Sequence, residues 1–478
     1  MSKIIASIPR YSVLVVIFLL TVGYFLSERH ASYYMGTEAD SVGCGSCHLD
    51  ANGGDILDRI IKPRYVSPIN FAASPDGSQL YVTAQDADAL LVVDLERREL
   101  LDRIEVGRQP REVLLSRDGS IAYVSNEWSD SISVIDLKSR SVTGRIATPN
   151  MPTGMALSPD ERTLYVANWQ DDSISAIDLA TGEEAIRLAG GGSPNLIAAS
   201  ADHSKLLVTN ELSYLTSTRE VPISEVTLID TATQQIEKRL RFENAHLLEG
   251  VTFVPPGDLA VVALVRPKNL LPVLHVNRGW AMNNGIGVID VESGEVVQLI
   301  LDDLSASYAD PYDVAVTPDG KRLFVSHSGV DQITVIDVEK LREVVEEARS
   351  RDTRLYAHRL DLSERFVIKR IATGPSPKGL TVSPDGKLLF VAERLNDSIL
   401  VVDTEQLEPA YTISLNGPTR ETEVRRGERL FNSAARTFQG QFSCRSCHPR
   451  HHVDRLQYDF EPDGLGQNIL DNRTLLGV

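Results

Sequence analysis

Through the middle of the chain, short apolar runs alternate with polar turns at a fixed spacing. Four segments line up: FAASPDGSQLYVTAQ from Phe71, LLSRDGSIAYVSN from Leu114, ALSPDERTLYVAN from Ala156 and AASADHSKLLVTN from Ala198. Their turn serines, Ser74, Ser116, Ser158 and Ser200, stand 42 residues apart. TPDGKRLFVSH from Thr317 and SPDGKLLFVAE from Ser383 repeat the pattern, and FVPPGDLAVVA from Phe253 is a degenerate copy, which makes seven units. Each unit predicts an apolar strand, an SPDG-type turn and a β-rich strand such as LYV or LFV. A polar loop follows, then a second apolar strand ending in Asp, as in LLVVDL at 90–95, ISVIDL at 132–137 and ITVIDV at 333–338. A more polar fourth strand completes the unit, for example LLDRIEV at 100–106. Pro75, Pro159, Pro318 and Pro384 preset the turns, and Gly77, Gly119, Gly320 and Gly386 relieve them.

Four strands in about 42 residues is the period of a β-propeller blade. A lone blade cannot bury both of its faces, and closing the ring removes the terminal interfaces. The expected fold is therefore mainly β, a seven-bladed β-propeller over 55–416, with small α-helical cytochrome c-type segments at the ends. Two segments compete to fill out the last blade, DILDRIIKP at 55–63 and YTISL at 411–415. The SPDG turn, the LYV or LFV strand and the ID or VD strand end resemble the YVTN-type repeats of the YncE-like propeller family. That resemblance implies a fold and not a reaction, because propellers host many functions.

Three insertions break the period: 211–225, 264–285 and 339–360. They are expected in loops between strands, where propellers tolerate additions. The second carries Arg266, His275, Arg278 and Trp280, and the third contains a charged helical stretch. The residues after the blade-opening prolines, such as Arg111, Thr153, Asn195 and Lys378, are expected to line the central channel. Their mixed chemistry points to no ligand.

The start of the chain has a different pattern. Tyr11 to Leu26 read YSVLVVIFLLTVGYFL without a charge, with Lys3 and Arg10 before them. This is the layout of an export signal or an N-terminal membrane anchor over 1–30. The basic end stays inside, so the rest is expected in the periplasm, tethered to the inner membrane if the segment is not cleaved. Composition agrees with a globular chain, at 42% hydrophobic and 24% charged residues. The net charge of −18 argues against a nucleic-acid partner.

All four cysteines fall outside the repeats. Cys44-Gly-Ser-Cys47-His48 lies in a short segment, 31–54, and Cys444-Arg-Ser-Cys447-His448 lies in 417–478. Both are C-x-x-C-H, the attachment signature of a c-type haem. Two thiols on one turn can each reach a vinyl group of the same porphyrin, and the adjacent histidine then meets the iron. A zinc site or a disulfide would not need that histidine twice. The expectation is two covalently bound haem c groups, with His48 and His448 as axial ligands. Met35 and His452 are weaker candidates for further axial ligation, and His451 shares the reservation. His203, His246, His275, His327 and His358 show no pair spacing and are taken as solvent-facing or satisfied polar residues.

Gly427, Leu430-Phe431, the second haem motif, His452, Asp454 and Asp471-Asn472-Arg473-Thr474-Leu475 resemble the haem-bearing start of the bacterial di-haem cytochrome c peroxidase family. The leading helix is expected to place its acids early and Arg425, Arg426 and Arg429 late, and Gly427 is expected to let another helix cross closely. Members of that family carry a second C-x-x-C-H and a distal methionine further along. Here the chain stops soon after His448, so a fragment, or a domain completed by another subunit, is expected. Three readings follow: an exported c-type cytochrome passing electrons to a redox partner protein; a peroxidase-type oxidoreductase; and a propeller that binds a protein.

Overall fold

The structure, a computed structural model, describes residues 65–214, 220–268, 282–459 and 469–471. Within them, seven four-stranded antiparallel sheets follow one another, each built from four consecutive strands. The blades span 68–105, 110–147, 152–189, 194–243, 251–300, 311–372 and 377–414. The chain carries a seven-bladed propeller, as the repeat predicts. The last blade ends on Glu408–Ser414, so the YTISL segment supplies its outer strand. The competing 55–63 segment lies outside the described residues, as do the export segment, Met35 and the first haem motif.

The SPDG turn folds for a local reason. Ser74 Oγ donates to Asp76 Oδ1 at 2.6 Å and accepts from the Gln79 amide at 2.9 Å. The Gly77 amide closes the turn on the Ser74 carbonyl at 2.9 Å, with Gly77 at φ 71°. The same serine–aspartate clasp recurs at Ser116–Asp118, Ser158–Asp160, Ser200–Asp202 and Ser383–Asp385. These hydrogen bonds hold Asp76 down at about 2, well below the ordinary carboxylate value.

Packing explains the apolar third strands. Seven apolar cores lie one between each adjacent pair of blades, including a core that joins Phe71, Leu80 and Val82 of the first blade to Phe390, Ile399 and Val401 of the last. Strands such as Ala89–Asp94 are thus covered on both faces, whereas the outer strands alternate exposed and covered positions. Polar groups stitch the same interfaces. One residue before each blade adopts a left-handed backbone: Ser67, Gln109, Met151, Ser193, Leu247, Asp310 and Ser376, with φ between 47° and 57°. The amide of this residue is caught by an Asp from the preceding blade. Asp88 takes Gln109 at 2.9 Å, Asp130 takes Met151 at 3.0 Å, Asp172 takes Ser193 at 2.7 Å and Asp331 takes Ser376 at 2.8 Å. Asn284 does the same for Asp310 at 3.1 Å. Each such bond satisfies a buried donor that an irregular backbone would otherwise strand.

The ring closes by this device as well. Asp397 of the last blade accepts from the Ser67 amide at 2.8 Å and the Val66 amide at 3.1 Å. No peptide links these two blades through a short loop, and a further group reinforces them. The helix Glu423–Asn432 sends Arg425 into the seam, where its guanidinium reaches Asp397 at 2.7 Å and Ser67 Oγ at 2.9 Å. The ring of Tyr65 lies 4.2 Å from that guanidinium. This corrects one expectation: Arg425 stands in the first turn of its helix and is buried in an ion pair, so it does not serve the helix dipole. Gly427 is corrected too, since among the described residues a side chain there would meet open space and no element crosses it. Gly417 is the glycine with a steric reason, because a Cβ there would lie 2.0 Å from Asp397 Oδ2.

The insertions differ in part from the expectation of plain loops. The second lengthens a hairpin, with Leu259–Pro267 paired to Met282–Asp290 up to Pro267 opposite Met282. His275, Arg278 and Trp280 lie outside the described residues. The third contains the helix Val338–Ser350, capped by Asp337. Leu341, Val344, Val345 and Ala348 recur at helical spacing and join the core between the fifth and sixth blades.

Arg425→Met should lower the unfolding midpoint of the full chain. It leaves Asp397 buried without its cation, which costs about 3–5 kcal/mol. Adding Asp397→Asn should recover part of the loss. An Arg425→Met chain as stable as wild type would count against the seam as described.

Candidate functional site

The propeller axis is built from one position of the repeat. Two positions after each left-handed residue stand Ile69, Arg111, Thr153, Asn195, Glu249, Tyr312 and Lys378 in turn. These side chains meet across the ring. Arg111 of the second blade donates to Asn195 of the fourth at 3.5 Å and lies 5.6 Å from the Tyr312 ring of the sixth. Asn195 donates to Glu249 at 2.8 Å, and Lys378 Nζ sits 4.1 Å from the Tyr312 ring. The axis is therefore lined by buried polar side chains. The next position is small where blades approach closely: a Cβ on Gly154 would meet the Asn195 carbonyl at 2.4 Å.

A second position of the repeat rims one face of the disc. Glu127, Trp169 and Glu211 directly follow the second strands of three successive blades. On this rim lies the C-terminal segment. The Ala434 amide donates to the Gly329 carbonyl at 2.8 Å, and the Asn284 amide group donates to the Gln441 carbonyl at 3.2 Å. Ser443 and Ser446 each donate to one oxygen of Asp310, both at 2.5 Å. Arg445 enters the mouth to an ion pair with Glu249, 5.2 Å from the Tyr312 ring. Arg450 pairs with Glu127 and with Glu211 at 2.8 Å, and it donates to Asn195 at 2.8 Å. Trp169 Nε1 donates to the same Glu211 oxygen at 2.7 Å. Burial and the Glu249 charge push Glu211 up, against the pull of Arg445 and Arg111.

The second haem motif is the tip of this segment. The Cys447 and His448 amides donate to the Cys444 carbonyl at 3.3 and 3.0 Å, so the three residues share one hydrogen-bonded turn. Cys444 is exposed, Cys447 is half-buried, and they form no disulfide with each other. Cys447 and Phe442 pack against an apolar cluster of Met151, Trp169, Leu212, Leu247, Val265 and Met282. His448 Nδ1 is buried and has no hydrogen-bond partner among the described residues. Two available thiols and an imidazole on one turn fit a covalent haem. Cys44, Cys47, His48 and Met35 lie outside the described residues. His452 is placed against Trp169, with ring centroids 5.8 Å apart.

Among the described residues no cluster of three or more His, Cys, Asp or Glu could hold a metal ion. His327 is buried and satisfied, bonded to the Tyr308 carbonyl at 2.8 Å and Thr334 at 2.7 Å. His246 departs from expectation, being buried with Nε2 unpartnered. Its Nδ1 accepts from the Ser213 amide at 3.3 Å, which puts the ring proton on Nε2. Burial holds this histidine down at about 3.

Residues 47–240 match the family model of the YNCE-like beta-propeller. Over those residues the propeller is similar to the YncE-like family. Hydrazine synthase subunit beta of Kuenenia stuttgartiensis is 30% identical over 181 residues, 37% of this chain and 47% of that protein, so the match spans about half of the relative. A solved chain of Kuenenia stuttgartiensis hydrazine synthase superposes with a TM-score of 0.68 at 28% identity, covering 73% of this chain and 99% of that one. Virginiamycin B lyase from Staphylococcus aureus is 14% identical at a TM-score of 0.48 over 68% of this chain and 92% of its own, too distant to carry an argument. The family match ends within the fourth blade, and the remaining blades and the segment after 416 are read from their own strands and contacts.

Two outcomes follow. Arg445→Ala strips Glu249 of its cation, so amide hydrogen exchange across 441–456 should quicken, while exchange in the blade cores holds. Unchanged protection of 441–456 would contradict the docking. The second concerns Glu112, whose carboxyl is held up at about 8 by burial and by Asp313. The folded chain keeps a proton that the unfolded chain releases near 4.5. That contribution is full below pH 4.5 and is lost as pH rises toward 8. The thermal midpoint of Glu112→Gln should therefore fall less than wild type over this range, and parallel profiles would refute the assignment.

Proposed function

We propose that the chain is an exported c-type cytochrome with two covalent haems, one at Cys44, Cys47 and His48 and one at Cys444, Cys447 and His448. Its propeller is the platform from which electrons pass to a protein partner. The observation that carries this reading is the C-x-x-C-H turn keyed into the propeller mouth by Arg445 and Arg450. A covalently held haem supplies reversible one-electron chemistry at its iron. Everything else falls to the chain. Cys444 and Cys447 would form the thioether links, and His448 would be the axial ligand. Asp310, through Ser443 and Ser446, and Glu249, through Arg445, fix the turn against the disc. The cluster around Trp169 and Met282 keeps water from the Cys447 side.

The similarity to a hydrazine synthase subunit supports a scaffold role for the propeller within an assembly of several proteins. The likeness of 420–478 to the di-haem peroxidase family supports a haem-bearing C-terminal region. The apolar run Tyr11–Leu26 supports export to the periplasm and tethering at the inner membrane.

Mass spectrometry of the purified full chain should show two haem additions, with one lost in Cys444→Ala/Cys447→Ala. The reduced protein should give sharp six-coordinate bands that peroxide leaves unchanged. Absence of haem, or two haems kept in the double variant, would end this reading. A high-spin haem that reacts with peroxide would replace electron transfer by a peroxidase activity.

A further inference from the structure

The four carboxylates at the propeller mouth are all engaged. Glu249 takes Arg445 and Asn195, Glu211 takes Arg450 and Trp169, Glu127 takes Arg450, and Asp310 takes two serines. Two cations further along the axis are left over. Arg111 is 7% exposed, and its hydrogen bond among the described residues is the 3.5 Å contact to Asn195. Lys378 is 4% exposed, and its ammonium makes no hydrogen bond or ion pair to a described residue. Both cations lie close to the ring of Tyr312, at 5.6 and 4.1 Å. A buried guanidinium with unfilled donors beside a buried ammonium without a counter-ion is costly.

We propose that the propeller axis holds a binding site for a small monovalent oxyanion of the carboxylate type, seated between Arg111 and Lys378 beside Tyr312. The planar fork of Arg111 suits two oxygens, and the ammonium of Lys378 supplies a further charge-assisted donor. One negative charge is the fitting load, since the Glu249 carboxyl, bonded to Asn195, borders the same space. Burial and repulsion from Arg445, against the pull of Glu249 and Asp310, push the Lys378 ammonium well below its ordinary value, and a bound anion would give it a direct hydrogen-bonded partner. Glu249 and Asp310 favour the charged lysine and Glu249 and Glu211 the charged Arg111 through space, but among the described residues none of them is hydrogen-bonded or ion-paired to either cation. The site shares the Tyr312 ring with Arg445 of the C-x-x-C-H turn, and its own donors, Arg111 and Lys378, need no haem.

Calorimetric titration of the full chain with sodium formate at fixed ionic strength tests the site, with the haem Soret band followed in parallel. The expected result is saturable one-to-one binding with a fixed Soret band. Lys378→Met and Arg111→Gln, on different blades, should each weaken it by about tenfold or more, and Ile69→Val at the same repeat position should retain it. Lack of saturable binding, wild-type affinity in both charge variants, or a formate response confined to the Soret band would overturn the site.

Discussion

A carboxylate that captures the amide at the opening of the next blade sets the geometry of the whole ring. Asp88, Asp130, Asp172 and Asp331 make this bond along the chain, and Asp397 makes it across the gap between last blade and first. The apolar cores give the blades their cohesion, since the hydrophobic effect is large and non-directional. The aspartates supply what it lacks, a fixed register between neighbours. Leu247, before the fifth blade, has the same left-handed backbone, with no such carboxylate partner among the described residues.

Arginines from the C-terminal segment extend the same logic. Arg425 shares Asp397 with the Ser67 amide, so the helix that leads toward the second haem motif also pins the closure of the ring. Arg445 and Arg450 reach buried glutamates at the mouth. A buried arginine whose partner is removed is worth several kcal/mol of destabilisation. Three such residues in one short segment therefore make the cap a part of the propeller and not a tail. The C-x-x-C-H turn inherits that rigidity, which the proposed electron-transfer role would need.

Much of this was legible before any coordinates. The SPDG spacing carries the turn chemistry directly, because Ser74, Asp76 and Gly77 act within five residues of one another. Asp88, Asp130 and Asp172 recur at the repeat interval and could have been singled out on that ground, as could Glu127, Trp169 and Glu211. The pairing of Arg445 with Glu249 was not legible, since the two stand almost two hundred residues apart and meet only after the ring closes. Gly427 misled for a related reason: a small residue on a helix face signals close packing only where another element arrives. The left-over cations of the axis were visible as residue types, but their lack of partners is a property of the folded ring.

The account rests on the haem turn being held at the propeller mouth. An experimental density map of the full, haem-loaded chain tests this most directly. It should show Arg445 against Glu249, Arg450 between Glu127 and Glu211, and the porphyrin attached at Cys444 and Cys447 beside Trp169. A map in which 434–456 lies away from the mouth, with Glu211 and Glu249 facing solvent, would contradict it.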